Sequence, residues 1–418
     1  MTATVPALHL TSAPHRLAVS ATVGRLRGNQ RNGGRASALR HRELPRPVRP
    51  AGWVRIAPLL AGICASDRKT LTFEVGRPLT AFYGIPRQGV VLGHEVVGTV
   101  VEADRDAGVS IGDRVVPEPL LSCAHKGFPA CVACVAGDTH RCGRQADGGS
   151  AEPGLGFGFH ARFGGGWSTE LVVPADRVHR VPDHLDDRAA VLTEPTAVAV
   201  HAVLRDAPRP GERAVVIGPG TIGLSVVHAL TTLATDVEVV VIGRHDATDA
   251  LARRAGASAV LHGRRRTLVE AVGDHLGTRV RGGRLSGPVL EHGVDVVYDC
   301  VGSEQTIDDA LRVLRPGGRV VLVATSGTQA VDWTLVWHRE LRVHGTGYYA
   351  EEDAPVGRST IAGGRRRAVA IALDVLGEVD AGHLVTHVFP LEESIDALAT
   401  AEAGPGVGAV KVAFAPSG

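Results

Sequence analysis

The sequence predicts an α/β protein built on a doubly wound parallel sheet, and two observations carry that prediction. One is a glycine fingerprint, Gly218-Pro-Gly220-Thr-Ile-Gly223, set between the apolar stretch Arg213-Ala-Val-Val-Ile217 and a helix-like run to Leu230. The other is the regular alternation of strand and helix patterns after it, which implies parallel strands joined by crossover helices.

The elements follow in order. Upstream, Trp53-Val-Arg-Ile-Ala-Pro-Leu-Leu60 and residues 170–173 read as strands. After the fingerprint comes a second strand, Val237-Glu-Val-Val-Val-Ile242, then a helix to Arg254 ending at Gly256-Ala257. Residues 294–298 and 320–323 repeat the buried-strand pattern, the latter behind a turn at Arg315-Pro-Gly-Gly318.

Composition narrows the function. A chain of 418 residues holds roughly two to three domains of ordinary size. With 44% hydrophobic and 21% charged residues it buries a sizeable core. Lys+Arg is 45 against Asp+Glu 44, a net charge of +1, which offers no general attraction to nucleic acid or anionic membranes. Lysine occurs at Lys69, Lys126 and Lys411 alone, so the basic residues are almost all arginine. No apolar run approaches the roughly 18–20 residues of a membrane span. The first twenty residues carry no secretory pattern, so a cytoplasmic protein is expected.

In the fingerprint, Gly218 permits a tight turn, Gly220 lets the backbone approach a pyrophosphate, and Gly223 allows helix and strand to pack closely. Thr221 and Ile222 open the helix, whose free N–H groups and dipole favour phosphate. Cys300, Val301, Gly302 and Val323 stand at later strand ends and are further cofactor-binding candidates, although Cys300 taken alone reads as a core thiol. Cofactor choice is read at the end of the second strand, where an acidic residue would hold the ribose of NAD. Here Gly243 and Arg244 stand there, relieving repulsion of a 2′-phosphate and offering it a bidentate partner. NADP is favoured over NAD, with Asp246 the one residue speaking for NAD. The run Arg264-Arg-Arg266 reads as surface.

Six cysteines are present, and in a reducing compartment clustered thiols point to metal before disulfides. Cys123, Cys131, Cys134 and Cys142 fall within twenty residues as Cys-x7-Cys-x2-Cys-x7-Cys. The x2 pair grips one ion from a tight turn and the flanking cysteines close a tetrahedron, a structural zinc site. Iron–sulfur ligation and free loop thiols fit less well.

The ordered set of Cys64, Gly93-His-Glu95, the four-cysteine loop and the Gly218 fingerprint resembles a zinc-dependent medium-chain dehydrogenase of the polyol, glucose and threonine dehydrogenase-like branch. The resemblance runs from about Trp53 to the C-terminus. It includes Gly62-Ile-Cys-Ala-Ser-Asp67, Leu92-Gly-His-Glu-Val-Val-Gly98, Ile111-Gly-Asp-Arg-Val115, Gly165-Gly-Trp-Ser168 and Glu194-Pro-Thr-Ala-Val-Ala-Val-His201. It implies a GroES-like, mostly-β catalytic domain over 1–190, a Rossmann domain over 191–345, and a tail from 346 to 418, with Phe389 and Lys411, that completes the first.

By the same resemblance Cys64 and His94 bind a catalytic zinc, and Glu95 is a third ligand or a close partner of one. Glu194 stands where the branch places a Glu ligand, direct or through water. Zinc would polarise the oxygen of an alcohol, polyol or matching carbonyl, Ser66 would relay the proton, and NADP(H) would exchange the hydride. A homodimer or homotetramer is implied.

Three departures stand out. Lys69 occupies the place where relatives carry a relay histidine, and is either its substitute or a surface residue. The stretch between Arg68 and Gly93, with Phe73, Phe82 and Tyr83, either shapes the substrate pocket or is only a loop. Cys123 is far from Cys131, so its loop must fold back, or His125 takes its place. Gly154-Leu-Gly-Phe-Gly-Phe-His160 either lines the cleft through Phe157, Phe159 and His160 or is a plain loop. A zinc-free enone or quinone reductase on the same fold would have no need of Cys64, His94 and Glu95 together. A non-catalytic nucleotide-binding protein would show a broken ligand set.

Overall fold

The computed structural model describes residues 3–13, 38–72, 88–148, 154–282, 287–355 and 361–417. Phe73, Phe82 and Tyr83 lie outside them. The chain forms two compact units, Met1–Glu194 with Asp380–Gly418, and Pro195–Val379.

The first unit is built of strands, the central ones buried along most of their length. Strand β1 (Thr4–Leu10) pairs antiparallel with β2 (Leu39–Pro45). Strand β3 (Trp53–Gly62) then runs into helix α1 (Ala65–Thr72). After the two-residue β4 (Val90–Val91) come β5 (Glu95–Glu102), β6 (Arg114–Pro117), β7 (Leu171–Pro174) and β8 (Val178–Arg180). Its core gathers Trp53, Phe157, Phe163, Trp167 and Phe414.

The chain passes into the second unit inside helix α2 (Thr193–Arg205), between Glu194 and Pro195. Strand β9 (Arg213–Ile217), helix α3 (Thr221–Leu233), β10 (Glu238–Gly243), α4 (Asp246–Arg254), β11 (Ala259–His262) and α5 (Arg266–Leu276) alternate as expected. They are followed by β12 (Val294–Asp299), α6 (Glu304–Val313), β13 (Leu314–Leu322) and β14 (Arg342–Gly345). The sheet is six-stranded and all parallel, in the order β11-β10-β9-β12-β13-β14. The order reverses between β9 and β12, the switch point where such sheets bind dinucleotides. Residues 315–318, expected as a turn, are instead an irregularity within β13: Val294 faces Leu314 while Val296 faces Arg319.

The return to the first unit comes at Asp380 and not at the expected 346. The reason is packing. The hairpin of Glu351–Ala354 with Gly364–Arg367 holds Glu352, which bonds His201 of α2 at 2.5 Å with both residues buried. Helix α7 (Ala368–Glu378) lies against α3. Only then do β15 (Val385–Phe389), α8 (Ser394–Ala403) and β16 (Lys411–Phe414) complete the first unit. Its large sheet runs β15-β16-β3-β5-β6-β8, with β7 on the other part of β3. Gly62 is thereby flanked by Glu95 of β5 and Ala413 of β16.

Among the described residues no helix is long and apolar enough to cross a membrane.

Candidate active site and metal centres

The register at Gly62 builds the first site. Cys64 follows the end of β3, Glu95 begins β5 with Gly93-His94 just ahead, and Lys411 begins β16. Ligand atoms of Cys64, His94 and Glu95 all lie within 4.8 Å of one another.

A residue quoted only as part of a motif in the sequence, Asp67, organises this group. It is fully buried in the first turn of α1. Its Oδ2 accepts from the Cys64 backbone N–H at 3.0 Å, and its Oδ1 lies 3.2 Å from His94 Nδ1. A carboxylate beside one ring nitrogen leaves Nε2 as the candidate metal donor, the arrangement usual behind a ligating histidine. Burial works against a charge on His94, but Asp67 and the Cys64 thiol outweigh it and hold its pKa well above the ordinary value.

Lys411 is the second residue whose partner the sequence did not reveal. Its Nζ donates to both Glu95 oxygens, at 2.8 and 2.6 Å, in a pair almost wholly buried. Burial disfavours the ammonium, yet Glu95 and Cys64 keep its pKa raised. Glu194, at the start of α2, is pushed up to about 7 by burial, with His94, Glu95, Lys411 and Asp67 as its charged neighbours. It stands beside the 4.8 Å group and not within it. Ser66 is partly buried on α1, and its carbonyl accepts from Thr70. Lys69 is one turn further on the same helix.

Phe159 touches the site, its ring centroid 4.9 Å from that of His94. Phe157 is in the core, and His160 is buried and stacked on Phe163 at 4.1 Å.

The second site gathers Cys123, Cys131, Cys134 and Cys142, again with sulfurs within 4.8 Å. The loop after Cys123 folds back through a short 3₁₀ turn at Ala124–Lys126 and a left-handed Gly127. His125 is engaged elsewhere: Nδ1 accepts from the Ser122 N–H at 3.0 Å and Nε2 lies 3.0 Å from Asp176. Backbone N–H groups of Cys134 and Gly143 pull the Cys131 thiol down to about 6, whereas burial pushes Cys142 up to about 12. Four sulfurs this close cannot all ionise unless a cation joins them, and that donor set is one zinc favours.

The dinucleotide elements sit at the C-terminal ends of β9, β10 and β12. Gly218 has φ 89°, and a Cβ on Gly223 would overlap the Gly218 carbonyl, so both positions require glycine. Thr221 and Ile222 form the first turn of α3 behind Gly220 as N-cap. Val301 is exposed over Gly218, while Gly302 and Val323 are buried. Cys300 is half-buried with its Cβ close to Gly223, and burial pushes its thiol well above the ordinary range. Arg244 is exposed directly after Gly243, and Asp246 is exposed at the start of α4. Residues 264–266 are exposed, as expected of surface.

Two family models match the chain. The family model of the alcohol dehydrogenase GroES-like domain matches residues 50–183, and that of the zinc-binding dehydrogenase matches residues 221–361. The L-threonine 3-dehydrogenase of Streptomyces coelicolor is 30% identical over 307 residues, 72% of this chain and 79% of that protein. The erythritol/L-threitol dehydrogenase of Mycolicibacterium smegmatis is 28% identical over 393 residues, 90% of this chain and 94% of its own. The fold is shared with L-idonate 5-dehydrogenase of Escherichia coli at TM-score 0.71 and 20% identity, covering 100% of this chain and 99% of that one. The chain belongs to the zinc-dependent medium-chain dehydrogenase family and is an NAD(P)-dependent oxidoreductase acting on CH–OH groups.

Proposed function

We propose that the enzyme exchanges a hydride between a polyol or related alcohol, or the matching carbonyl, and NADP(H). The observation that carries this is the group of Cys64, His94 and Glu95 with Asp67 backing the histidine. Cys64 and His94 would hold zinc, which when bound polarises the substrate oxygen. Glu194 would complete the set directly or through water. Glu95, with both oxygens already accepting from Lys411, orients the site from behind. Ser66 takes the proton released from the substrate hydroxyl and passes it outward along α1 toward Lys69. Polyol specificity is supported by the similarity to the erythritol/L-threitol dehydrogenase. Cys123, Cys131, Cys134 and Cys142 would hold a second, structural zinc. A cytoplasmic homodimer or homotetramer completes the proposal.

The test is a screen of polyols and secondary alcohols with NADP and NAD, run on the wild type and Ser66→Ala. Activity on a polyol is expected, with kcat in Ser66→Ala down on the order of a hundredfold, the scale of general acid–base catalysis. Zinc content should stay unchanged in that variant. Full activity in Ser66→Ala would remove Ser66 from the proton path.

Arg244 is the expected contact of the 2′-phosphate. In Arg244→Ala the Kd for NADPH, read by nucleotide fluorescence, should rise roughly tenfold or more, the loss of about 1.5–3 kcal/mol for a charged hydrogen bond. The Kd for NADH should move little. Equal weakening of both would show that Arg244 does not select the cofactor.

A further inference from the structure

The long spacing between the first two cysteines of the second site brings in a charge that the usual short spacing has no room for. Lys126 lies between Cys123 and Cys131 and is fully buried. A buried ammonium is costly unless every N–H is bonded and an opposite charge is near. An ammonium has three donors. Lys126 Nζ donates to three carbonyls, those of Arg144 at 3.2 Å, Gln145 at 2.6 Å and Asp147 at 3.0 Å. Carbonyls satisfy the hydrogens without cancelling the charge. Burial lowers the Lys126 pKa, and Cys142, Asp147 and Cys123 oppose that shift. The Asp147 carboxylate is exposed and pairs with Arg144 at 3.3 Å, whereas the Cys123 and Cys142 sulfurs are buried with Lys126.

We propose that Lys126 is a built-in counter-cation of the four-thiolate centre and a positioning residue for it. This rests on the reading that the four cysteines bind zinc. Four thiolates around a divalent ion carry two net negative charges, and Lys126 offsets one of them inside the lobe. It also ties the two halves of the lobe together. The segment after Cys142 is bonded to Lys126 Nζ, and Arg144 stacks over the Phe128 ring at 4.6 Å. The Lys126 and Phe128 N–H groups both donate back to the Cys123 carbonyl, which fixes where that thiol points.

The first test compares zinc release to a chromogenic chelator from the wild type and Lys126→Met, with zinc per chain measured on both. The wild type is expected to hold about two zincs, the structural and the catalytic. In the variant one of them should leave roughly ten- to a hundredfold faster, the scale seen when a support of a metal ligand is removed. The other should leave at the wild-type rate, and far-UV circular dichroism should be unchanged. Identical release of both ions would overturn the role of Lys126. A wild type whose zinc content is untouched by Cys142→Ser would instead overturn the four-thiolate site.

Because the chain has only three lysines, a second measurement needs no substitution at 126. In lysine-¹⁵N-labelled Cys64→Ala protein, nitrogen-detected NMR should show two ammonium signals protected from exchange, from Lys126 and Lys411. One should move when cadmium replaces zinc. A single protected signal, or two that both stay in place, would overturn the proposal.

Discussion

Cys64→Ala protein should contain about one zinc per chain where the wild type contains about two, because the catalytic position loses its thiolate and the four-cysteine position does not. Elemental analysis on the two proteins side by side reads this directly. Activity should fall on the order of a thousandfold, since polarisation of the oxygen by the ion contributes several kcal/mol and each 1.4 kcal/mol is about a factor of ten. His94 and Glu95 remain in place behind the lost thiolate, so the fold should persist and NADPH binding should be unchanged. About one zinc in both proteins would mean that Cys64 holds no metal, and the zinc-dependent mechanism would fall with it.

The second large effect belongs to Lys411, which is not itself a candidate ligand but holds one of them, Glu95. Lys411→Met should lower the free energy of unfolding by about 3–5 kcal/mol, the range for breaking a buried ion pair by removing one partner. The cost comes from Glu95, whose two oxygens would be left without their cation in a place that exposes 1% of its surface. Urea unfolding of Lys411→Met and of the double variant Lys411→Met/Glu95→Gln gives the comparison. The double variant should recover most of the loss, since the stranded charge is gone. A single variant within about 1 kcal/mol of wild type, or a double variant no better than the single, would show that the pair is not a stability determinant.

The contrast between these two residues shows what a sequence can carry. Cys64, His94 and Glu95 are legible because the glycines and apolar residues around them form compact motifs, each within a few positions. The parallel sheet is legible for the same reason: strand, turn and helix recur locally, and the predicted strands at 213–217, 237–242 and 294–298 lie within a residue or so of β9, β10 and β12. Asp67 could have been singled out, since it sits three residues after Cys64, but spacing alone does not say that its carboxylate faces His94. Lys411 was visible as one of only three lysines, yet its partner lies 316 residues away and only the strand order shows the pairing. The hairpin strands Glu351–Ala354 and Gly364–Arg367 are strongly charged and helix α7 is largely apolar, patterns that do not say which unit they pack against. For that reason the boundary expected at 346 falls at 380. The four-cysteine loop left open whether Cys123 or His125 joins the cluster, because a seven-residue spacer has no single geometry until Gly127 turns it.

The strand order around Gly62 also sets a schedule for making the protein. Glu95 flanks that glycine from β5 and receives Lys411 from the start of β16, so the pocket behind the candidate metal group lacks its balancing charge until β16 has been synthesised. During translation Cys64, His94 and Glu95 emerge early, and the whole of the second unit must follow before Lys411 can reach them. Early ion capture would therefore have to proceed in a half-built pocket, with Glu95 free to bind the ion itself. The finished arrangement, with Glu95 turned to Lys411, belongs to the end of synthesis. Of the two candidate metal groups, only the four-cysteine lobe, whose cysteines span residues 123–142, is complete while the ribosome is still at work.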